Sequence, residues 1–142
     1  MSNPKTMYYA SVGPLLNMFD VDGAQLRERG ALTLPANIQY AWPHPSRRYL
    51  YVVSSKGGPG VPGDKHFANA FAIDPATGDL RSHGGPAELP SRPIHASLDR
   101  SGGYLLTAYN DPSGLAVHRV GGDGAIGAPV AQQPDLDTAF SH

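Results

Sequence analysis

Four side chains within one stretch of the sequence are suited to acid–base chemistry and anion binding. The stretch is "RPIHASLDRSGGYLLTAYN", residues 92–110, and it contributes Arg92, His95, Tyr109 and Asn110. A histidine can activate water as a general base, a tyrosine or an amide can donate a hydrogen bond to a developing oxyanion, and an arginine can bind phosphate or carboxylate. We therefore predict catalytic roles for His95 and Tyr109 and substrate-binding roles for Arg92 and Asn110.

A tight hairpin must bring these side chains together. The peptide "DRSGG" separates two short segments rich in β-branched and aromatic residues, which predicts an antiparallel pair of strands turning at Ser101. The residue numbers of two opposed positions should then add up to roughly 202. Thr107 should therefore face His95, and Tyr109 should face Pro93. This register gathers the candidate side chains at one end of the hairpin.

The rest of the chain also predicts short strands and turns. Glycine (17) and proline (14) make up 31 of the 142 residues and are scattered between apolar segments. Glycine permits the positive φ of tight turns, and no window keeps a helical apolar period beyond about two turns. The sequence therefore predicts an all-β fold.

An internal repeat defines the architecture. "NIQYAWPHPSRRYLYVVSS", residues 37–55, matches residues 93–110 as strand, turn and strand. Repeats of four short strands predict the blades of a β-propeller. We label the strands of a blade A to D from the axis outward. Residues 7–34 then supply strands B, C and D of a first blade. The second blade spans 37–90, the third spans 92–134, and residues 137–142 begin a fourth. The prediction is a single partial domain of about two and three-quarter antiparallel blades, the first without its inner strand.

The order of these motifs resembles a known family. "YYAS" at the start, "RRYLYVV" (47–53), "FAIDPATGDL" (71–80), "RPIHASLDRSGGYLLTAYN" (92–110) and "LAVHRVGGDGAIG" (115–127) are similar to segments of the lactonase family of seven-bladed β-propellers. That family includes bacterial 6-phosphogluconolactonases of propeller type and fungal carboxymuconate cyclases. The resemblance implies that this chain is an N-terminal portion whose partners are the missing C-terminal blades, and that the inner strand of the first blade comes from the far C-terminus.

The resemblance also implies an activity. It is the hydrolytic opening of a sugar-acid lactone such as 6-phosphogluconolactone, with a small-molecule lactone as the ligand. His142 looks like the start of a histidine-containing segment that family members carry in the third inner strand, so it is a further catalytic candidate. Family members draw other site residues from later blades, so the chain alone is expected to be inactive.

Three alternatives remain open at this point. The chain could belong to a carboxymuconate cycloisomerase-like enzyme, or to a non-catalytic propeller that binds a ligand or a protein. His95 could also be structural, because histidines at strand starts in repeat proteins often only fill or hydrogen-bond the loop above them. The equivalent position in the preceding blade is Gln39, which cannot act as a base, and this asymmetry favours a role for His95.

Composition argues against several other classes of function. The formal charge is −1 and no basic run is present, so we expect no nucleic-acid partner. Cysteine is absent, and the other histidines have no ligand spacing, so we expect no metal site. "GPGVPG" (58–63) fits a dinucleotide fingerprint, but a strand and not a helix follows it, so we expect no cofactor. No apolar run suits a signal or a membrane span, so we expect a cytoplasmic protein that does not contact membranes.

Overall fold

The structure is a computed structural model that describes residues 5–61 and 63–130. Every regular element in these two ranges is a β-strand. The all-β prediction is therefore confirmed. His142 and the predicted start of a further blade, residues 137–142, lie outside the described residues.

Twelve strands form three antiparallel sheets that follow one another along the chain. The first sheet contains β1 (Met7–Val12), β2 (Leu15–Asp22) and β3 (Gln25–Thr33). The second contains β4 (Asn37–Pro43), β5 (Tyr49–Ser55), β6 (His66–Ile73), β7 (Leu80–Ser82) and β8 (Ala87–Glu88). The third contains β9 (Pro93–Leu98), β10 (Tyr104–Asn110), β11 (Ser113–Val120) and β12 (Ile126–Pro129). We call these sheets blades 1, 2 and 3.

The strand order in each sheet is the meander expected of a propeller blade. Blade 3 runs β9-β10-β11-β12, and blade 2 runs β4-β5-β6-β7. Blade 1 has only β1-β2-β3, so β1 forms the edge of its sheet among the described residues. The chain is thus a partial propeller whose first blade has three strands.

The outer strand of blade 2 differs from the sequence-based expectation. The pattern predicts one strand over 80–89, whereas the structure has two short strands, β7 and β8, that both pair with β6. The cause lies between them: Gly84 adopts a φ of 77°, and Pro86 has no N–H to donate to a ladder. A divided, short outer strand is also a poor template for pairing with other chains.

Apolar side chains that alternate between the two faces of blade 2 form a hydrophobic core on each side of it. On one face, Leu50 and Val52 pack with Leu16 and Met18 of blade 1. On the other face, Tyr51, Val53 and Ala68 pack with residues of blade 3, namely Ala96, Leu105, Tyr109, Ala116 and Val120. Successive strand residues point to opposite faces, so one strand, β5, supplies both cores. The inner strands are thereby held at fixed positions relative to one another.

Tyrosine hydroxyls tie each blade to a turn of the next. Tyr9 donates to the carbonyl of Gly78 at 2.6 Å, and Tyr51 donates to the carbonyl of Gly124 at 2.6 Å. Both glycines have positive φ, 77° and 82° respectively. A Cβ on Gly124 would lie 2.5 Å from the Tyr49 ring, so only glycine lets the turn approach this closely.

One histidine lies inside the core between blades 2 and 3. His118, on β11, is 4% exposed, and its Nδ1 has no hydrogen-bond partner in the described part of the chain. Burial lowers the pKa of His118, because the interior disfavours the charged ring. The folded state therefore disfavours protonation of this ring.

This burial predicts a loss of stability on acidification. An unfolded histidine titrates at about pH 6.5, and the folded state takes up that proton only at a lower pH. The contribution of the neutral ring to the free energy of unfolding is therefore complete above about pH 6.5, and it is lost as the pH falls towards the lowered pKa of His118. His118→Leu should raise the free energy of unfolding by about 1–2 kcal/mol at pH 7 and flatten its decline between pH 7 and 5. Urea unfolding at several pH values measures the free energy of unfolding and its dependence on pH. If His118→Leu leaves that dependence unchanged, the burial of a neutral His118 does not explain it.

Candidate functional site at the start of the inner strands

The candidate residues lie near one end of the blades, where the inner strands begin. We call this the funnel end: it is formed by the starts of β4 and β9 and by the ends of β5 and β10. Each inner strand has an irregular ladder here. The register shifts between Ile38 and Tyr40 in β4, and opposite Ala108 and Tyr109 in β9. Bulges change the direction in which neighbouring side chains point, and they are common next to functional sites.

The ladder between β9 and β10 differs from the predicted register by one residue as far as a bulge in β9. His95 pairs with Ala108, and Thr107 pairs with Ala96, so the prediction that Thr107 faces His95 is wrong by one residue. Tyr109 does pair with Pro93, as predicted, because the extra residue at the bulge restores the offset. The error therefore lies in the register set at the turn, and the bulge beyond it restores the predicted pairing.

His95 is exposed and lies against aromatic side chains of blade 2. The centre of its ring is 4.4 Å from that of Tyr40 and 6.0 Å from that of Trp42. Within residues 5–61 and 63–130 its ring nitrogens make no hydrogen bond, so ring packing alone fixes its orientation there. The imidazole of His95 is thus accessible to a water molecule or a ligand.

Tyr109 does not share this exposed surface. The side chain is 6% exposed within the core between blades 2 and 3, and its hydroxyl is 2.7 Å from Thr107 Oγ1. Burial raises the pKa of Tyr109, and the hydrogen bond with Thr107 lowers it by a smaller amount. The structure therefore separates Tyr109 from His95, and the hydroxyl contributes to the core in this arrangement.

Arg92 and Asn110 do lie at the funnel end. Arg92 precedes β9, is half-buried, and donates from Nε to Gln39 Oε1 of blade 2 at 3.0 Å. Asn110 is the last residue of β10 and is exposed. Arg92 forms no ion pair in the described ranges. The structure therefore places Arg92 against Gln39 of blade 2. It places His95 against two side chains that the sequence did not single out for this site, Tyr40 and Trp42.

A second polar pair at the funnel end was not predicted. Ser55 Oγ lies 2.8 Å from His66 Nδ1, and the amide of Gly57 donates to the same hydroxyl at 2.8 Å. The internal repeat could have indicated Ser55, because Ser55 and the candidate Asn110 occupy the same position, the last residue of the second strand of a blade. Burial lowers the pKa of His66, with Asp64 opposing. Ser55 is fully buried, so the pair anchors the base of the loop over 56–65 instead of offering a nucleophile.

Two concavities flank blade 2. The larger, of about 710 Å³, lies beside β1 and is lined at the funnel end by Ser11, Gln39 and Tyr40. The smaller, of about 410 Å³, lies at the opposite end among Arg47, Arg48, Arg81 and neighbouring residues. The described ranges contain no group of three or more acidic or histidine side chains arranged to hold a metal ion. They also contain no helix of the length and apolarity that crossing a bilayer requires.

Comparison with known proteins identifies the family. The sequence model described as "Lactonase, 7-bladed beta-propeller" matches residues 7–137. The chain belongs to this family. Curated relatives include a 6-phosphogluconolactonase of Pectobacterium carotovorum, 32% identical over 82% of this chain, and one of Erwinia tasmaniensis, 35% identical over 82%. In both cases the match covers 34% of the relative, so this lactonase-family chain spans about one third of the length of these proteins.

Solved structures agree with the fold. A protein from Bacteroides fragilis superposes with a TM-score of 0.76 over 95% of this chain and 40% of its own, at 16% identity. The periplasmic gluconolactonase PpgL of Pseudomonas aeruginosa superposes with a TM-score of 0.66 over 83% of this chain and 34% of its own, at 27% identity. The three sheets thus correspond to part of a lactonase-family propeller.

Proposed function

We propose that this chain supplies the first blades of a lactonase-type hydrolase that opens a sugar-acid lactone such as 6-phosphogluconolactone. Membership of the lactonase family and the names of the curated relatives support the reaction class. The observation that carries the proposal is that an exposed histidine, His95, and a half-buried arginine, Arg92, contact consecutive residues of β4 near the funnel end. A base that activates water and a cationic group that binds the anion both favour the hydrolysis of an anionic lactone.

The proposed reaction is the attack of water on the lactone carbonyl. His95 accepts a proton from the water as its oxygen bonds to the carbonyl carbon, which gives a tetrahedral oxyanion. The bond between that carbon and the ring oxygen then breaks, and the ring oxygen receives the proton from His95. The product is an open hydroxy acid, with one water consumed for each ester bond cleaved.

The other site residues have supporting roles in this proposal. Arg92 binds the phosphate or carboxylate of the substrate, because a guanidinium offers paired donors to an oxyanion. Asn110 contacts the substrate from the end of β10. Tyr109, predicted as a hydrogen-bond donor, stays a candidate only if its hydroxyl leaves Thr107. His142 stays a candidate from the sequence alone, and so does the cytoplasmic location.

The test requires the remaining blades. We define the ring chimera as this chain joined to the blades of the Pectobacterium carotovorum relative that follow the matched third. It should hydrolyse 6-phosphogluconolactone faster than the unphosphorylated lactone, because Arg92 favours the anion. Preferential interconversion of carboxymuconate and its lactone would instead indicate a cycloisomerase, and binding of a lactone without turnover would indicate a non-catalytic propeller. Either result would refute the proposal.

A further inference from the structure

We infer that Gln39 of blade 2 is a positioning residue that orients the Arg92 guanidinium for an oxyanion of the ligand. This inference rests on the proposed role of Arg92 as the anion clamp. It concerns a different residue on a different blade, at the repeat position where blade 3 carries His95. The two blades therefore use one repeat position for two tasks.

Two hydrogen bonds fix the arrangement. Gln39 Nε2 donates to the backbone carbonyl of Asn37, two residues earlier in β4, at 3.1 Å. That bond sets which way the amide faces, so Gln39 Oε1 is directed at Arg92 Nε, which donates to it at 3.0 Å. Gln39 occupies the bulge of β4, between Ile38 and Tyr40, and is itself half-buried. The amide of Gln39 is thus held by the backbone through its nitrogen and accepts from Arg92 through its oxygen.

The contact selects one edge of the guanidinium. Arg92 uses Nε for Gln39, whereas the two terminal amino groups form the paired edge that suits phosphate and carboxylate. A flexible arginine side chain loses rotamer entropy when a ligand orders it, and part of that cost is met before the ligand arrives if the side chain is already held. Gln39 therefore lowers the cost of ordering Arg92 on binding.

The chemical type of the partner matters as much as its position. Arg92 has no ion pair within residues 5–61 and 63–130, so the described chain leaves its charge without a carboxylate counterpart. A glutamate at position 39 would accept the same hydrogen bond but would neutralise that charge. The neutral amide of Gln39 orients the guanidinium and leaves the positive charge for the ligand.

A neighbouring contact strengthens the argument that β4 shapes the site on β9. Tyr40, the next residue of β4, packs its ring against His95 at 4.4 Å. Two consecutive residues of blade 2, Gln39 and Tyr40, therefore contact Arg92 and His95, two of the side chains that the proposed function uses. The site is built across the boundary between blades, and each half depends on the other.

The first test needs no ligand. In the ¹H–¹⁵N spectrum of this chain, the Nε–H group of Arg92 should exchange slowly with water because Gln39 accepts its hydrogen bond. Gln39→Met and, as a second variant of different size, Gln39→Ser should both speed that exchange at least tenfold, whereas Gln39→Glu should keep it slow. Fast exchange in the unchanged chain, or slow exchange in Gln39→Met and Gln39→Ser, would overturn the inference.

The second test separates the inference from the proposed function. The chain is titrated with 6-phosphogluconate and with gluconate, and the ratio of the two Kd values measures phosphate preference. Gln39→Met should reduce the ratio about tenfold, as expected for one hydrogen bond to a charged group, whereas Gln39→Glu and Arg92→Met should abolish it. If Arg92→Met abolishes the preference but Gln39→Met leaves it unchanged, Gln39 has no positioning role and the clamp stands. If Arg92→Met leaves the preference intact, or the unchanged chain has none, the clamp itself fails, and the inference fails with it.

Discussion

His95→Gln should lower kcat of the ring chimera for 6-phosphogluconolactone by about 10²–10⁴-fold, the usual contribution of a general base. KM should change little, because Arg92 and its partner Gln39 are untouched. Glutamine retains polarity and approximate size but cannot accept the proton of the attacking water. The measurement is the initial rate of acid release at saturating substrate.

A matched histidine provides the control for this variant. His83 lies at the opposite end of blade 2, where its Nε2 is 2.7 Å from the carbonyl of Asp123. His83→Gln should leave kcat within about threefold of the unchanged chimera, since a glutamine amide can still meet that carbonyl and lies far from the reacting atoms. Equal effects of the two substitutions would show that His95 acts through structure. A fully active His95→Gln protein would remove it as the base.

Leu105→Ala should lower the free energy of unfolding of this chain by about 2–5 kcal/mol. Leu105 is fully buried on β10 and belongs to the core between blades 2 and 3. Truncation removes apolar contacts and leaves a cavity that flanking strands cannot fill without breaking their ladders. Urea unfolding followed by tyrosine fluorescence and far-ultraviolet circular dichroism measures the loss.

The adjacent leucine is a control of identical chemistry. Leu106 is half-buried, and its side chain alternates to the other face of β10. Leu106→Ala should cost this chain only about 1 kcal/mol. If both substitutions destabilise the chain equally, blade 2 does not pack selectively against one face of blade 3, and the interblade core is placed incorrectly.

Local patterns account for what the sequence predicts well. Glycine and aspartate turns bounded by alternating apolar residues specify hairpins, and the repeat of those hairpins specifies blades. The interval from Pro93 to Asn110 contains a whole hairpin, so its strands are predictable from that interval alone. The pairing of Tyr109 with Pro93 matches the prediction only because the bulge offsets a one-residue error in the rest of the ladder.

The site itself depends on contacts between blades, which the sequence does not express locally. The bulge that brings Pro93 opposite Tyr109 is not marked by any turn residue in the sequence. The bond between Arg92 and Gln39 joins residues 53 positions apart. Tyr109 has a type suited to catalysis, yet its position in the alternation directs it into the core. Residue type predicts which chemistry is available, and packing decides which side chain reaches the funnel end.

The central claim is that these blades carry part of a lactonase site that becomes active only within a ring. The decisive measurement compares rates of 6-phosphogluconolactone hydrolysis, above the spontaneous rate, for this chain, for the remaining blades of the Pectobacterium carotovorum relative, and for the ring chimera that joins them. We predict measurable turnover by the chimera, none by either part, and loss of turnover with His95→Gln. Turnover by the remaining blades alone at the rate of the chimera, or a folded chimera without turnover, would contradict the account.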